Sequence, residues 1–376
     1  MPDNPGFQTT PGVVAIVTGS SGFVGSRLVE MLLDRGAAKV LCVDIGEPNA
    51  VLQERFAKYP KDKIAVFSKS AGDLTKKEAI TEIFKSEPKI DILYHIAALV
   101  GPYHSKNMYW KVNYQGTLNL LEACKTFNVP KFVFSSSPST RFHGVGIAGK
   151  REDEMSIPKK GKFVEVYAET KAAAEVAIRK ANNPPSLMTV AVAPHQVYGP
   201  YDELFLPNFL RAAGDGKLRI FGAGENKISI CHNDNYCHGL ICAADVMKPE
   251  NDKVLSNFYI VTDGEPVNVW QLVNEAVVKM GFVDLNSKFH LPVWLLYGIA
   301  YILDAIGKLM NHKFKLTPFA VQMMVIDRYF SIENAKRDLK YEPITATKEA
   351  YAETCEWMKQ NWLPKYQAEL EDNKKK

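Results

Sequence analysis

The apolar positions of the chain fall into two rhythms. Up to Pro200, short β-branched runs alternate with longer helical patterns: "VVAIVTG" (13–19), "KVLCVDI" (39–45), "KIAVF" (63–67), "DILYHIAA" (91–98), "KFVFSSS" (131–137) and "MTVAVAP" (188–194). Runs so nearly continuous in apolar side chains mark strands buried on both faces, and the segments between them are long enough for crossover helices. The pattern predicts an α/β architecture, a doubly wound parallel sheet. After Pro200 the rhythm breaks: "ELFLPNFLRAAGDG" reads as a helix ending at glycine, "NFYIVTDGEPVN" as one more strand with a turn, and the rest as mainly helical. Two units follow, residues 12–200 and a smaller 201–376. They interdigitate if the late strand returns to the first sheet, and a basic tail closes the chain at 370–376.

Composition narrows the picture. A chain of 376 residues with 46% hydrophobic and 23% charged positions can bury a core without disulfides or a structural metal. The formal net charge of +4 is small and its basic residues are scattered, which argues against a nucleic-acid partner. The 6 cysteines form no Cys-x-x-Cys pair, and no metal site is expected; they read as small buried hydrophobes in a reducing compartment. "MPDNPGFQTTPG" has neither the apolar core of a signal peptide nor the arginines of a transit peptide, so a cytosol-facing protein is expected.

The first strand runs into "TGSSGFVG" (18–25), and the helical pattern "SRLVEMLLDRG" follows. Gly19 lets the chain turn, Gly22 lets backbone amides approach a pyrophosphate, and Gly25 lets the helix pack closely on the sheet, with the helix N-terminus facing the anion. Asp44 ends the second strand, where a carboxylate accepts hydrogen bonds from the adenosine ribose; a plain strand-end turn residue is the alternative. Ile45 follows where a phosphate-binding arginine would stand, so NAD is favoured over NADP. Asp73, after the third strand, is a candidate for the adenine amino group. In "VYAETK" (166–171) Tyr167 and Lys171 lie one helical turn apart, a spacing that taken alone also suits a core aromatic followed by a surface charge.

The spacing Thr18-Gly19-x-x-Gly22-x-x-Gly25 resembles that of the extended short-chain dehydrogenase/reductases, and the likeness covers nearly the whole chain. It implies a Rossmann-type sheet with a smaller, mainly helical C-terminal substrate domain. It also implies catalytic roles for Asn113 in "KVNYQGTLNLLEAC", Ser137 closing "FVFSSS", Tyr167 and Lys171, with further cofactor contacts from Ser21, Phe23, Val24, Leu74, Ala97 and Pro194. The chemistry suits these residue types. Tyrosine titrates near 10, so a phenolate base near pH 7 needs a shift of about three units; a lysine cation supplies about 1 to 3. Ser137 holds the substrate oxygen, Tyr167 takes the hydroxyl proton, and in such enzymes Asn113 positions a water that links the lysine to solvent.

Sugar-nucleotide members of the group carry an arginine for the substrate diphosphate in a stretch like "GDGxxxRDFxxVxD". Here "FGAGENKISICHNDN" places Ile228 at that position, which removes a charge-assisted contact. "YAETKAAAEVAIRKANNP", "APHQVYGPYD", the apolar "FHLPVWLLYGIAYILDAIGKLMNHKFKLTPFAVQ" and "YFSIENAKRDLKYEPIT" instead resemble the 3β-hydroxysteroid dehydrogenase branch, and within it the enzymes that oxidise and decarboxylate 4α-carboxysterols. Ala193, where many relatives have arginine, and Pro138, directly after Ser137, depart from the pattern at the pocket floor. Arg141 and His143 are the candidates for recognising a substrate carboxylate.

From Val293 to Leu303 the chain is apolar, and then Asp304 and Lys308 interrupt. A spanning helix needs about 20 apolar residues, so 291–311 is expected either to lie in a membrane interface or to be buried. The resemblance implies a sterol substrate and a homodimer through the helices carrying Asn113 and Tyr167, and the apolar run adds the expectation of peripheral association with the endoplasmic reticulum or lipid droplets. The rival readings are a 3β-hydroxysteroid dehydrogenase/isomerase without decarboxylation, a nucleotide-sugar epimerase or dehydratase, and a silent NAD-binding module.

Overall fold

In the computed structural model of the chain, which describes residues 10–101, 104–310, 314 and 316–375, the apolar runs form one parallel sheet. The N-terminal segment before Thr10, on which the leader expectation rests, Asn311 at the end of the 291–311 segment, and Lys376 at the end of the tail lie outside the described residues. The strands are β1 Val14–Thr18, β2 Lys39–Val43, β3 Ile64–Phe67, β4 Ile92–His95, β5 Lys131–Ser135, β6 Met188–Pro194 and β7 Phe258–Val261, in the order β3-β2-β1-β4-β5-β6-β7. Alternate residues feed two cores. Ala15 and Val17 pack with Leu28, Leu32, Tyr236 and Leu240 on one face, while Ile16 packs with Leu120, Ala174 and Ile178 on the other. Burial on both faces is why these strands show no polar alternation.

Helices α1 (Phe23–Asp34), α2 (106–126), α3 (Val166–Lys180) and α4 (Asn233–Val246) cover the sheet. Both β7 and α4 come from beyond Pro200, and β7 pairs with β6 in register Val261 to Pro194. Arg27 on α1 holds the Asp234 carboxylate of α4 at 2.7 and 3.0 Å, and the Asn233 amide donates to the Phe23 carbonyl. The two units expected from the sequence are thus interleaved across the sheet.

A second, four-stranded sheet has the order Val267–Asn268, Lys227–Ile228, Arg328–Phe330, Ile147–Lys150. A separate core around Tyr198, Leu210, Trp270, Val277 and Tyr351 supports it. Helix α5 (Val293–Met310) packs on α6 (Pro318–Met323) through Leu296, Ala300 and Val321, yet Trp294, Tyr301, Ile302 and Leu309 are more than half exposed. Of the two expectations for this segment, burial is overturned: outside one narrow stripe, its apolar side chains face outward. The helix is long and apolar enough to cross a membrane by length and composition alone, but it carries Asp304 and Lys308, paired at 2.7 Å.

Candidate active site

The register of the sheet brings the C-terminal ends of β1, β4, β5 and β6 into one row: Thr18 pairs with His95, His95 with Phe134, and Ser135 with Val192. In an open parallel sheet ligands bind beyond this edge, where the strand order reverses, here between β1 and β4.

The glycine loop leaves β1 at this point. Gly19 has φ +73°, and a Cβ there would lie 2.8 Å from the Ala97 nitrogen; a Cβ at Gly25 would lie 2.0 Å from the Gly19 carbonyl oxygen. Both contacts are tighter than real Cβ atoms make, so glycine is required for the chain to fold back on itself here. Gly22 caps α1 without a side-chain hydrogen bond, leaving the first-turn amides of Phe23 and Val24 to face an anion. The Asp44 carboxylate accepts from the backbone N–H of Ser21 at 2.9 Å and of Gly46 at 2.8 Å. Each oxygen keeps lone-pair capacity for a ribose hydroxyl. This cradle fits a dinucleotide. Asp73 accepts from the Thr75 amide and hydroxyl at 2.9 and 2.8 Å; burial raises its pKa, but these bonds and Lys76 outweigh it and hold the carboxyl below its ordinary value. Leu74 is buried against the start of the Gly116 helical segment, and Pro194 ends β6.

Beneath the cradle runs a buried polar chain that the sequence did not reveal. The Thr18 hydroxyl lies 2.7 Å from His95 Nδ1, His95 Nε2 lies 2.8 Å from the Thr117 hydroxyl, and Thr117 donates to the Asn113 carbonyl at 2.7 Å. Because Thr18 Oγ1 already accepts from the Ile96 and Ala97 amides, its proton goes to Nδ1, and the imidazole is the neutral Nε2–H tautomer. Burial, then the nearby Lys171, push its pKa down to about 3. Asn113 sits in a widened turn of α2, Trp110–Gln115, and its side chain pairs with Leu99, accepting from the amide at 2.8 Å and donating to the carbonyl at 3.0 Å. Its amide group therefore anchors the strand β4 loop to α2.

Ser137 follows β5 and caps the short turn Pro138–Arg141, where proline at the first position loses no hydrogen bond. Its hydroxyl accepts from the Ser139 hydroxyl at 2.9 Å and also shares a hydrogen bond with Tyr167. Tyr167 and Lys171 lie one turn apart on α3. Lys171 donates to the Ser135 carbonyl and its nitrogen stands 4.2 Å from the centre of the Phe134 ring. Burial pulls its pKa down to about 7, against the pull of Glu175. Tyr167 moves the other way: burial pushes the phenol up to about 12, with Ser137 opposing. The expected fall of the tyrosine pKa toward 7 is not met in the protein alone, because burial outweighs the hydrogen bond from Ser137.

Arg141 and His143 are also corrected as carboxylate candidates. Arg141 is buried, stacks 3.5 Å from the centre of the Phe258 ring, and is paired with the fully buried Glu175 of α3, to which Ser136 also donates at 2.8 Å. Its charge is spent inside the protein. His143 lies at the surface, 2.9 Å from the Ser156 carbonyl. In front of Tyr167 opens a mainly apolar cavity of about 140 Å³ lined by Gly101, Ser139, Phe142, Val164, Glu165, Ala168 and Phe319. Phe319 comes from α6, far along the chain, so no local pattern announced it.

Comparison with known proteins agrees with this geometry. The human protein "Sterol-4-alpha-carboxylate 3-dehydrogenase, decarboxylating" is 30% identical over 347 residues, covering 90% of this chain and 87% of that one. A "2-alkyl-3-oxoalkanoate reductase" of Shewanella oneidensis is 27% identical, covering 89% and 84%. Among solved structures, the dTDP-glucose 4,6-dehydratase DesIV of Streptomyces venezuelae, with NAD and TYD bound, shares the fold at a TM-score of 0.70 and 20% identity over 93% of this chain and 98% of that one. Residues 16–293, which hold the glycine loop, Ser137, Tyr167 and Lys171, match the 3-beta hydroxysteroid dehydrogenase/isomerase family, and to that family this chain belongs.

Proposed function

We propose that this chain oxidises the 3β-hydroxyl of a sterol with NAD, and that its substrate is a 4α-carboxysterol that then loses carbon dioxide. The observation that carries the reading is Tyr167, hydrogen-bonded to Ser137, in the wall of a mainly apolar cavity, together with a glycine loop shaped as a dinucleotide cradle. The names of the human and Shewanella relatives describe different skeletons, yet in both a carboxylate stands one carbon from the carbon that changes oxidation state.

NAD, when bound, supplies the hydride acceptor. Ser137 holds the substrate hydroxyl, and Tyr167 as phenolate takes its proton as the carbonyl forms. Lys171, one turn below, stabilises that phenolate electrostatically while remaining tied to Ser135. The product is a β-keto acid. Its carbon–carboxylate bond breaks with the electron pair passing into the ketone as an enolate, and the protonated Tyr167 and Ser137 donate to that enolate oxygen. The test is NADH formation by purified protein with a 4α-carboxy-3β-hydroxysterol, with carbon dioxide release followed in parallel. Stoichiometric NADH and carbon dioxide support the reading; absence of both with NAD bound sinks it.

The same reading extends to the bilayer. The outward apolar face of α5, with Trp294, Tyr301, Ile302 and Leu309, seats the protein on a membrane surface from which a lipid-soluble sterol reaches the cavity, while Asp304 and Lys308 disfavour spanning. Flotation with phosphatidylcholine vesicles tests it. The wild type should float and a Trp294→Asp, Ile302→Asp variant should not; equal flotation of both refutes the assignment to α5.

A further inference from the structure

Arg328 opens the strand Arg328–Phe330 in the centre of the second sheet. One guanidinium nitrogen donates to the Met323 carbonyl at 3.0 Å, and another lies 3.3 Å from His195 Nε2. Nε is buried and has no partner, and among the described residues no carboxylate lies within ion-pair distance of the group. A buried cation without a counter-ion is costly, and a protein that keeps one has a use for it. Burial already pulls its pKa down to about 10 with no carboxylate to offset that.

Its partners sit on elements that also reach the site. His195 directly follows Pro194 at the C-terminal end of β6, and its Nδ1 donates to the Ser229 carbonyl at 2.6 Å, which leaves Nε2 as an acceptor turned to Arg328. Burial, then Arg328, hold this imidazole neutral, with its pKa pushed down to about 3. Arg328 is therefore steered by a neutral group and keeps its full charge. Met323 lies one turn along α6 from Phe319, which lines the cavity in front of Tyr167. Across the ladder Arg328 pairs with Ile228, the position at which sugar-nucleotide members of the group carry a diphosphate-binding arginine. On its other side Arg328 pairs with Ile147.

We infer that Arg328, oriented by His195, binds the carboxylate of the substrate beside the carbon being oxidised. The inference rests on the proposed oxidation of a β-hydroxy acid and names the group that selects it. A carboxylate there accepts from the Nε–H and a terminal N–H of the guanidinium, the two-pronged geometry that arginine offers and lysine does not.

The experiment compares kcat/KM for a 4α-carboxy-3β-hydroxysterol with that for its 4α-methyl analogue in wild type, Arg328→Gln, Arg328→Lys and His195→Asn. Loss of one charge-assisted pair should lower the ratio of the two values by about 10- to 100-fold in Arg328→Gln, chiefly through KM for the acid. Lysine should restore part of it, and His195→Asn should fall between. Thermal melting and NAD titration show whether each variant is folded. A fall of equal size on both substrates, or no change in the ratio, overturns the carboxylate site while leaving the oxidation intact. A wild type that oxidises neither sterol overturns the proposed function and this site with it, and a variant that does not fold transfers the decision to His195→Asn and Arg328→Lys.

Discussion

Lys171 lies over the Phe134 ring and donates to the Ser135 carbonyl, so the cation of the site is docked on the strand that delivers Ser137. The arrangement keeps a charged group in a place that costs folding energy. Its pKa is about 7 in the folded protein against an ordinary value near 10.4, so the unfolded chain binds the proton more tightly. The penalty is full below pH 7, shrinks as pH rises, and vanishes above the unfolded value. Lys171→Met should therefore melt at a temperature no lower than wild type at pH 6, with any advantage fading toward pH 10, while NADH formation falls by at least about 100-fold. Equal melting offsets at both pH values would contradict the assignment of burial as the cause.

Tyr167→Phe removes the proton acceptor and nothing of the glycine cradle. Turnover should drop by about 100- to 10,000-fold while NAD affinity, read by titration calorimetry, stays within about 2-fold. Residual activity above a tenth of wild type would move the base elsewhere.

Gly25→Ala sets a methyl group against the Gly19 carbonyl, at 2.0 Å before any shift. The loop must move from the helix terminus, and the NAD dissociation constant should rise by about 10-fold or more, with a loss of about 1–3 kcal/mol in stability from overpacking. Unchanged NAD affinity would show that the cradle is looser than its contacts indicate.

The buried pair of Arg141 and Glu175 ties the turn after Ser137 to the helix that carries Tyr167. Removing one partner strands a charge: Arg141→Met should cost about 3–5 kcal/mol in urea unfolding, whereas the double variant Arg141→Met, Glu175→Leu should recover much of it. Additive losses in the double variant would mean that the two residues do not act as a pair.

Much of the fold was legible because its determinants are local. Six of the seven strands of the main sheet announce themselves as apolar runs before Pro200, and the seventh as "NFYIVTDG". The glycine loop shows itself through backbone geometry that only glycine tolerates, and Tyr167 with Lys171 through one helical turn. The rest depends on contacts between distant residues. Nothing near Arg141 signals that Glu175 will neutralise it, nothing near Phe319 signals a cavity wall, and the two-residue strands at Lys227–Ile228 and Val267–Asn268 are too short to leave a period. Helix α5 reads the same in sequence whether buried or bare, since an apolar run does not say what covers it.

The return of β7 to the edge of β6 has a consequence for how the chain comes into being. Until the ribosome has released Phe258–Val261, the apolar strand Met188–Pro194 is an open edge, and the face that α4 will cover is bare. The cofactor half therefore cannot finish folding as it emerges, and a fragment ending at Pro200 would be sticky rather than autonomous. The cofactor cradle and the substrate domain therefore complete their folding together.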